Sequence, residues 1–127
     1  MPQITIEYSY GVEWGVDIQA LAKALHETAT GSGVFPVGAV RTMARPCVAS
    51  FVGDGELVNA FVNISVRIGP GRSLELKQKL TKMFFDAAQA HTVSLFEKRP
   101  AGLQIELSEH DPAFTLSRNT MIPPPKA

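Results

Sequence analysis

Residues 58–68 carry the clearest alternation of apolar and polar side chains in this chain. The apolar members are Val58, Ala60, Val62, Ile64, Val66 and Ile68. A period of two is typical of a strand with one apolar face and one polar face. Such a strand needs a second layer of structure, because its apolar face must be buried against another element. The chain must therefore supply elements that cover this face.

A strand, a helix and a second strand precede this segment. Polar residues alternate with Ile4, Ile6 and Tyr8, which predicts a first strand. A helix is predicted from Asp17, a residue type that favours helix N-caps, to the Gly-Ser-Gly sequence that begins at Gly31. Residues 39–52 are rich in β-branched and small apolar residues and predict the second strand.

The same plan repeats in the second half of the chain. After the strand of residues 58–68, Ser73 can cap a helix with one continuous apolar stripe. The stripe comprises Leu76, Leu80, Met83, Phe84, Ala87, Ala88, His91 and Leu95. Leu103, Ile105 and Leu107 alternate with polar residues and predict a final strand.

Two consecutive β-α-β units predict an α/β (α+β) fold with right-handed crossovers and both helices on one face of the sheet. The other face is left uncovered, and it is either exposed or used for association. It carries Gln3, Thr5, Glu7, Asn59, Phe61, Asn63 and Arg67. A Gly-Asp-Gly sequence at residues 53–55 predicts a hairpin that joins the two units.

The length of 127 residues fits a single domain over residues 1–127, in which the proline-rich tail of residues 115–127 is extended or frayed. Twelve basic residues balance twelve acidic ones, which argues against nonspecific binding to nucleic acid or an anionic membrane. No apolar run is long enough to span a bilayer, so we expect a cytoplasmic protein.

Cys47 is the only cysteine, and the three histidines lack metal-ligand spacing. His26 is expected on the solvent side of its helix.

Pro2 allows two interpretations. Proline at the first residue of a strand costs little, so Pro2 can simply begin the strand. Alternatively, removal of Met1 from a Met-Pro start leaves a free secondary amine on Pro2. A retained Met1 would instead acylate this nitrogen.

Three arginines are candidates for carboxylate binding. Arg72 lies in a Gly-Pro-Gly-Arg turn that leads into a helix N-terminus, where backbone N–H groups and a guanidinium converge. Arg41 and Arg45 share one face of the second strand. If that strand is parallel to the first, Arg41 lies near Pro2. Arg45 can equally be an ordinary surface charge, and Arg72 a solvated residue after a turn.

The Met-Pro start, the two β-α-β repeats, the sequence GVFPVGAVR and the sequence IGPGRSLE together resemble the tautomerase superfamily. The nearest resemblance is to the 5-carboxymethyl-2-hydroxymuconate isomerase family, and it extends from Pro2 to about Phe114. It implies a homotrimer whose sheets surround a central barrel, with the first strands of the two repeats central and antiparallel in a mixed four-stranded sheet. This order conflicts with the hairpin signal, and we follow the resemblance.

The resemblance also implies roles for the site residues. Pro2 corresponds to the N-terminal proline base of the family, and Arg41 and Arg72 correspond to its two substrate arginines; we add Arg45 as a binding candidate. The expected reaction is ketonisation of a carboxylated 2-hydroxymuconate in aromatic catabolism, without a metal or an organic cofactor. Two alternatives remain open: a related tautomerase for another enol acid, such as phenylpyruvate, and a non-catalytic trimer that binds small carboxylates.

Overall fold

The computed structural model describes residues 1–123 as two helices packed on a four-stranded sheet, with a short third helix. The strands and α-helices are β1 (Gln3–Tyr8), α1 (Ile18–Thr30), β2 (Arg41–Pro46), β3 (Ala60–Ile68), α2 (Leu74–Ala90), α3 (Val93–Lys98) and β4 (Ala101–Glu109). Short 3₁₀ turns occur at Val12–Trp14, Val37–Ala39 and Pro112–Phe114. No helix in this described part has the length and hydropathy needed to cross a membrane.

The sheet has the strand order β2-β1-β3-β4. β1 is parallel to β2 and antiparallel to β3, and β3 is parallel to β4. The mixed sheet with the first strands of both repeats in the centre is therefore confirmed. The hairpin prediction for residues 53–55 is wrong, because β2 and β3 are not neighbours. Gly53 and Gly55 do adopt positive φ angles of 60° and 89°, but they form a turn within the long connection between these strands.

The core lies between the sheet and the two long helices. Ile4 and Ile6 of β1 and Ile64 of β3 are fully buried on the helix side of the sheet. Leu25 from α1 and Phe84 from α2 are fully buried against them in the same cluster. Burial of each such side chain contributes about 1.5 to 3 kcal/mol, so this layer fixes the sheet on which the candidate site is built.

Both predicted helix caps are present. The carboxylate of Asp17 accepts a hydrogen bond from the Ala20 N–H at 2.9 Å, and the hydroxyl of Ser73 accepts one from the Leu76 N–H at 3.1 Å. Each cap satisfies an N–H group that has no partner within the first turn of its helix.

The apolar stripe of the second helix does not form one continuous helix. α2 ends at Ala90, and α3 starts at Val93 after a break. The buried Thr92 hydroxyl donates to the Ala88 carbonyl at 2.9 Å and so helps to satisfy the end of α2. His91 is exposed at this break rather than part of a buried stripe.

The second strand is shorter than the predicted range of residues 39–52. Its ladder stops where β1 stops, because Pro46 pairs with Tyr8, the last residue of β1. Val48 and Phe51 are 91% and 92% exposed in the connection that follows. These apolar side chains, which favoured the prediction of a strand, are not packed in the core of this chain.

Candidate active site

The start of β1, the start of β2 and the end of β3 meet at one end of the sheet. Gln3 is paired with Arg41 on one side and with Arg67 on the other. Adjacent strands are about 4.8 Å apart, so the two arginine Cα atoms lie roughly 10 Å apart across Gln3. All three residues are on the open face of the sheet, opposite to the helices.

A cleft of about 580 Å³ lies at this end of the sheet. It is lined by Met1, Gln3, Arg41, Arg67 and Arg118, together with His110 and the residues Pro112 and 114–117, and we call it the N-terminal cleft. None of its lining residues is Asp or Glu. Among residues 1–123, the ion pairs involve lysines and none of these three arginines. The cleft is therefore cationic and suited to an anionic ligand.

Pro2 is buried directly beside this cleft. It precedes the first residue of β1, and its carbonyl accepts a hydrogen bond from the Arg41 N–H at 3.0 Å. This bond continues the ladder between β1 and β2, so both interpretations of Pro2 agree with its position. Met1 is half-buried and itself lines the cleft. Loss of Met1 would leave the Pro2 nitrogen as a free amine at the edge of the cleft.

Arg41 is exposed and lines the N-terminal cleft. Its Nη2 atom donates to Oε1 of Gln3 at 3.2 Å, which holds the guanidinium beside the start of β1. The other N–H groups of the guanidinium have no protein acceptor among the described residues, and they are free to bind a carboxylate.

Arg72 is half-buried and does not line the N-terminal cleft of its own chain. Its guanidinium carbon lies 4.8 Å from the centre of the Phe35 ring, and its Nη1 donates to the Gly69 carbonyl at 3.1 Å. The turn before it requires glycine at residue 71, where φ is 107°. The structure thus holds Arg72 in a defined position after the end of β3 without bringing it next to Arg41.

Arg45 lies outside the cleft. It is paired with Glu7, four residues further along β2 than Arg41, which is roughly 13 Å at the usual rise per strand residue. The shared face of Arg41 and Arg45 is as predicted, but the two side chains belong to different parts of that face. The binding role of Arg45 stays a prediction.

Two arginines of the cleft were not among the predicted site residues. The alternation places Arg67 only on the uncovered face, whereas the antiparallel pairing of β1 and β3 brings it beside Gln3. Arg118 comes from the C-terminal segment, where no periodicity indicates a position.

The prediction that His26 lies on the solvent side of its helix is wrong. His26 is half-buried, and its Nδ1 lies 2.9 Å from the Thr42 hydroxyl oxygen.

Residues 1–123 contain no group of three or more His, Cys, Asp or Glu side chains arranged to hold a metal ion. The polar side chains that line this cleft carry guanidinium, amide, hydroxyl and imidazole groups. Such groups bind and orient carboxylates and enolate oxygens.

The model of the 5-carboxymethyl-2-hydroxymuconate isomerase family matches residues 2–123. The chain belongs to this family. It is 28% identical over 121 residues to the 5-carboxymethyl-2-hydroxymuconate Delta-isomerase of Escherichia coli, covering 95% of this chain and 96% of that protein. Family membership identifies the chain as an enzyme of the isomerase class.

Solved structures agree with this assignment. A 5-carboxymethyl-2-hydroxymuconate isomerase from Deinococcus radiodurans R1 superposes with a TM-score of 0.89 at 30% identity, covering 94% of this chain and 90% of that one. A fused 4-OT in the form of a symmetric trimer superposes with a TM-score of 0.60 at 22% identity, covering 83% of this chain and 85% of that one. The fold is therefore that of the tautomerase superfamily.

Proposed function

We propose that this protein ketonises a carboxylated 2-hydroxymuconate, such as 5-carboxymethyl-2-hydroxymuconate, with Pro2 as the general base. The observation that carries the proposal is the N-terminal cleft, in which Arg41 and Arg67 flank the start of β1 with no acidic residue in the lining. The substrate class belongs to aromatic catabolism, and we expect the reaction to take place in the cytoplasm.

The proposed reaction moves one proton. The free Pro2 amine removes the proton of the 2-hydroxyl group, so the O–H bond breaks and a dienolate forms. The same proton returns from the Pro2 ammonium to a carbon of the dienolate, which forms a C–H bond and leaves the 2-oxo product. Arg41 binds a substrate carboxylate and stabilises the negative charge that develops on the oxygen, and Arg72 does the same from a neighbouring copy of the chain.

Pro2 must be neutral to act as a base. An α-amino group titrates at about 8 in peptides. We expect burial and the guanidinium groups of the cleft to disfavour the charged amine and so to lower its pKa. Because protonation removes the base, kcat/KM should fall as the pH drops below that pKa and should reach a plateau above it. A profile without this acidic limb would contradict the assignment.

Removal of Met1 provides the test of this proposal. Protein with Met1 removed and protein with Met1 retained, each verified by mass spectrometry, are compared on 5-carboxymethyl-2-hydroxymuconate. Retained Met1 turns the Pro2 nitrogen into an amide without a basic lone pair, so we expect it to abolish ketonisation. Pro2→Ala keeps a primary amine and should reduce activity without abolishing it. Equal rates for the two N-terminal forms would mean that Pro2 only begins the strand.

We also propose that the protein is a homotrimer. The open sheet face supports this, as does the fold shared with a symmetric trimer. A cyclic trimer uses head-to-tail interfaces, which place sites near subunit boundaries. The position of Arg72 outside the cleft of its own chain is compatible with a site built between copies. Light scattering at micromolar concentration should give three times the chain mass, and a monomeric mass would contradict the proposal.

A non-catalytic trimer that binds small carboxylates is the second candidate. The observation that favours it is the fit of Met1, whose sulfur lies 3.1 Å from the Asn119 amide nitrogen. If this methionine is retained, the cleft keeps its cationic lining but loses the free Pro2 amine. Carboxylate binding without turnover by the natural N-terminal form would support this candidate. A related tautomerase for another enol acid would instead turn over phenylpyruvate faster than the hydroxymuconate.

A further inference from the structure

The C-terminal segment of residues 110–123 closes one side of the N-terminal cleft. It starts at His110, whose N–H donates to the Ile68 carbonyl at 2.9 Å. It is held again at Asn119, whose Nδ2 donates to the Gly38 carbonyl at 2.9 Å and whose Oδ1 accepts from the Met121 N–H at 2.8 Å. The part of the segment that lines the cleft is therefore attached to the fold at both ends.

Gly38 allows the backbone of the C-terminal segment to approach the turn before β2 closely. A Cβ atom at this position would lie 2.6 Å from the carbonyl carbon of Met121, a distance that real Cβ atoms essentially never show. The backbone of the C-terminal segment thus packs directly on the turn before β2. Any larger side chain at residue 38 would displace the segment.

This segment adds Arg118 to the two arginines of the sheet. Arg41, Arg67 and Arg118 line one cleft, and Thr115 and Ser117 line it with them. Like charges at close range repel one another, and no carboxylate of the described protein lines the cleft. A bound anion would remove this repulsion and accept charge-assisted hydrogen bonds from more than one guanidinium.

We propose that Arg67 and Arg118 form an additional carboxylate subsite, which makes the enzyme selective for substrates with three carboxylates over substrates with two. This inference rests on the proposed function. 5-Carboxymethyl-2-hydroxymuconate carries two muconate carboxylates and a third on its carboxymethyl group. In the proposed function Arg41 and Arg72 each bind one carboxylate, and a guanidinium can do so through two parallel hydrogen bonds, which accounts for two of the three. Arg67 and Arg118 supply the donors for the remaining one.

The test compares two substrates in Met-processed protein. Arg118→Gln and Arg67→Gln are assayed on 5-carboxymethyl-2-hydroxymuconate and on 2-hydroxymuconate, which lacks the third carboxylate. Loss of a charge-assisted contact predicts a roughly ten- to hundredfold lower kcat/KM on the first substrate and a distinctly smaller loss on the second. Arg118→Lys should recover part of the loss. Lys79→Ala is the matched control, because it removes an exposed positive charge of α2 away from the cleft.

Equal losses on both substrates, or no loss on either, would overturn the subsite. A second measurement separates this result from a failure of the proposed function. Binding of propane-1,2,3-tricarboxylate and of glutarate, neither of which reacts, is measured by calorimetry on the same variants. If the natural protein turns over neither hydroxymuconate but binds the tricarboxylate through Arg67 and Arg118, the proposed reaction is wrong and the subsite stands. If it turns over the substrates and these variants bind both probes as the natural protein does, the subsite is wrong and the reaction stands.

Discussion

The two ends of the sheet both contain arginine, but they use it differently. In the N-terminal cleft, Arg41 makes one side-chain hydrogen bond, to Gln3. At the other end, the Arg99 guanidinium donates to the carbonyls of Val58, Leu57 and Asn59 at 2.8, 3.3 and 3.3 Å. One arginine fixes the loop before β3, and the other keeps its donors for a ligand. The same residue type is therefore structural at one end and available for chemistry at the other.

The residues that surround the two ends of the sheet also differ. The end opposite to the N-terminal cleft has a pocket of about 590 Å³ lined by Tyr10, Trp14, Phe51 and Leu57. Tyr10 and Trp14 pack edge to face, with ring centres 5.0 Å apart. This pocket suits apolar contacts, whereas the N-terminal cleft suits anions. The difference predicts that activity and stability respond separately to changes at the two ends.

The largest effect of a single substitution is expected for the substrate arginines. Arg41→Ala and Arg72→Ala each remove a charge-assisted contact worth about 2 to 3 kcal/mol in the transition state, or roughly thirty- to a hundredfold in kcat/KM. Arg45→Ala should have a smaller effect, because Arg45 is paired across the sheet with the acidic residue Glu7. Steady-state kinetics on 5-carboxymethyl-2-hydroxymuconate would measure all three. Unchanged kcat/KM in the first two variants, with loss of activity in the third, would reverse the assignment.

Arg99→Ala should produce the opposite pattern. It leaves three loop carbonyls without their guanidinium partner, so the free energy of unfolding should fall by about 1.5 to 3 kcal/mol. The kcat/KM of the folded enzyme should stay within about twofold of the natural protein. Urea unfolding and kinetics on the same preparation give both values. A large loss of kcat/KM without loss of stability would remove the distinction between the two ends.

Gly38→Ala should have the smallest effect of these changes, and only at the N-terminal cleft. The new methyl group must displace the Met121 backbone, so KM for the tricarboxylated substrate should rise by a few-fold as Arg118 moves. Gly15→Ala is the matched control, because its Cβ would meet no atom within 4 Å. Hydrogen exchange of residues 115–123 would report release of the segment. Equal exchange and equal KM in both variants would show that the segment does not depend on Gly38.

Much of the fold could be predicted from local patterns. The alternation in β1 and β3 and the caps at Asp17 and Ser73 are local signals, and the structure agrees with them. The predicted second strand is longer than β2, because several residues after Pro46 are apolar but have no strand among the described residues to pair with. The strand order was correct only because the family resemblance outweighed the local hairpin signal.

The candidate site was less predictable, because it depends on contacts distant in sequence. Arg67 enters the cleft through antiparallel pairing with Gln3, which alternation alone does not specify. Arg118 enters through the hydrogen bond of Asn119 to Gly38, 81 residues away, and no periodic pattern marks that contact. Arg72 has the predicted turn and helix start, but its stacking on Phe35 decides which way the guanidinium is held.

The central claim is that substrate carboxylates bind at the cationic end of the sheet. The most direct test is an NMR titration of ¹⁵N-labelled protein with propane-1,2,3-tricarboxylate. We predict saturable shifts in the amides of Gln3, Arg41 and Arg67, while the indole N–H of Trp14 does not shift. Saturable shifts confined to Trp14 and the residues around it, with none at Gln3, Arg41 or Arg67, would contradict the account.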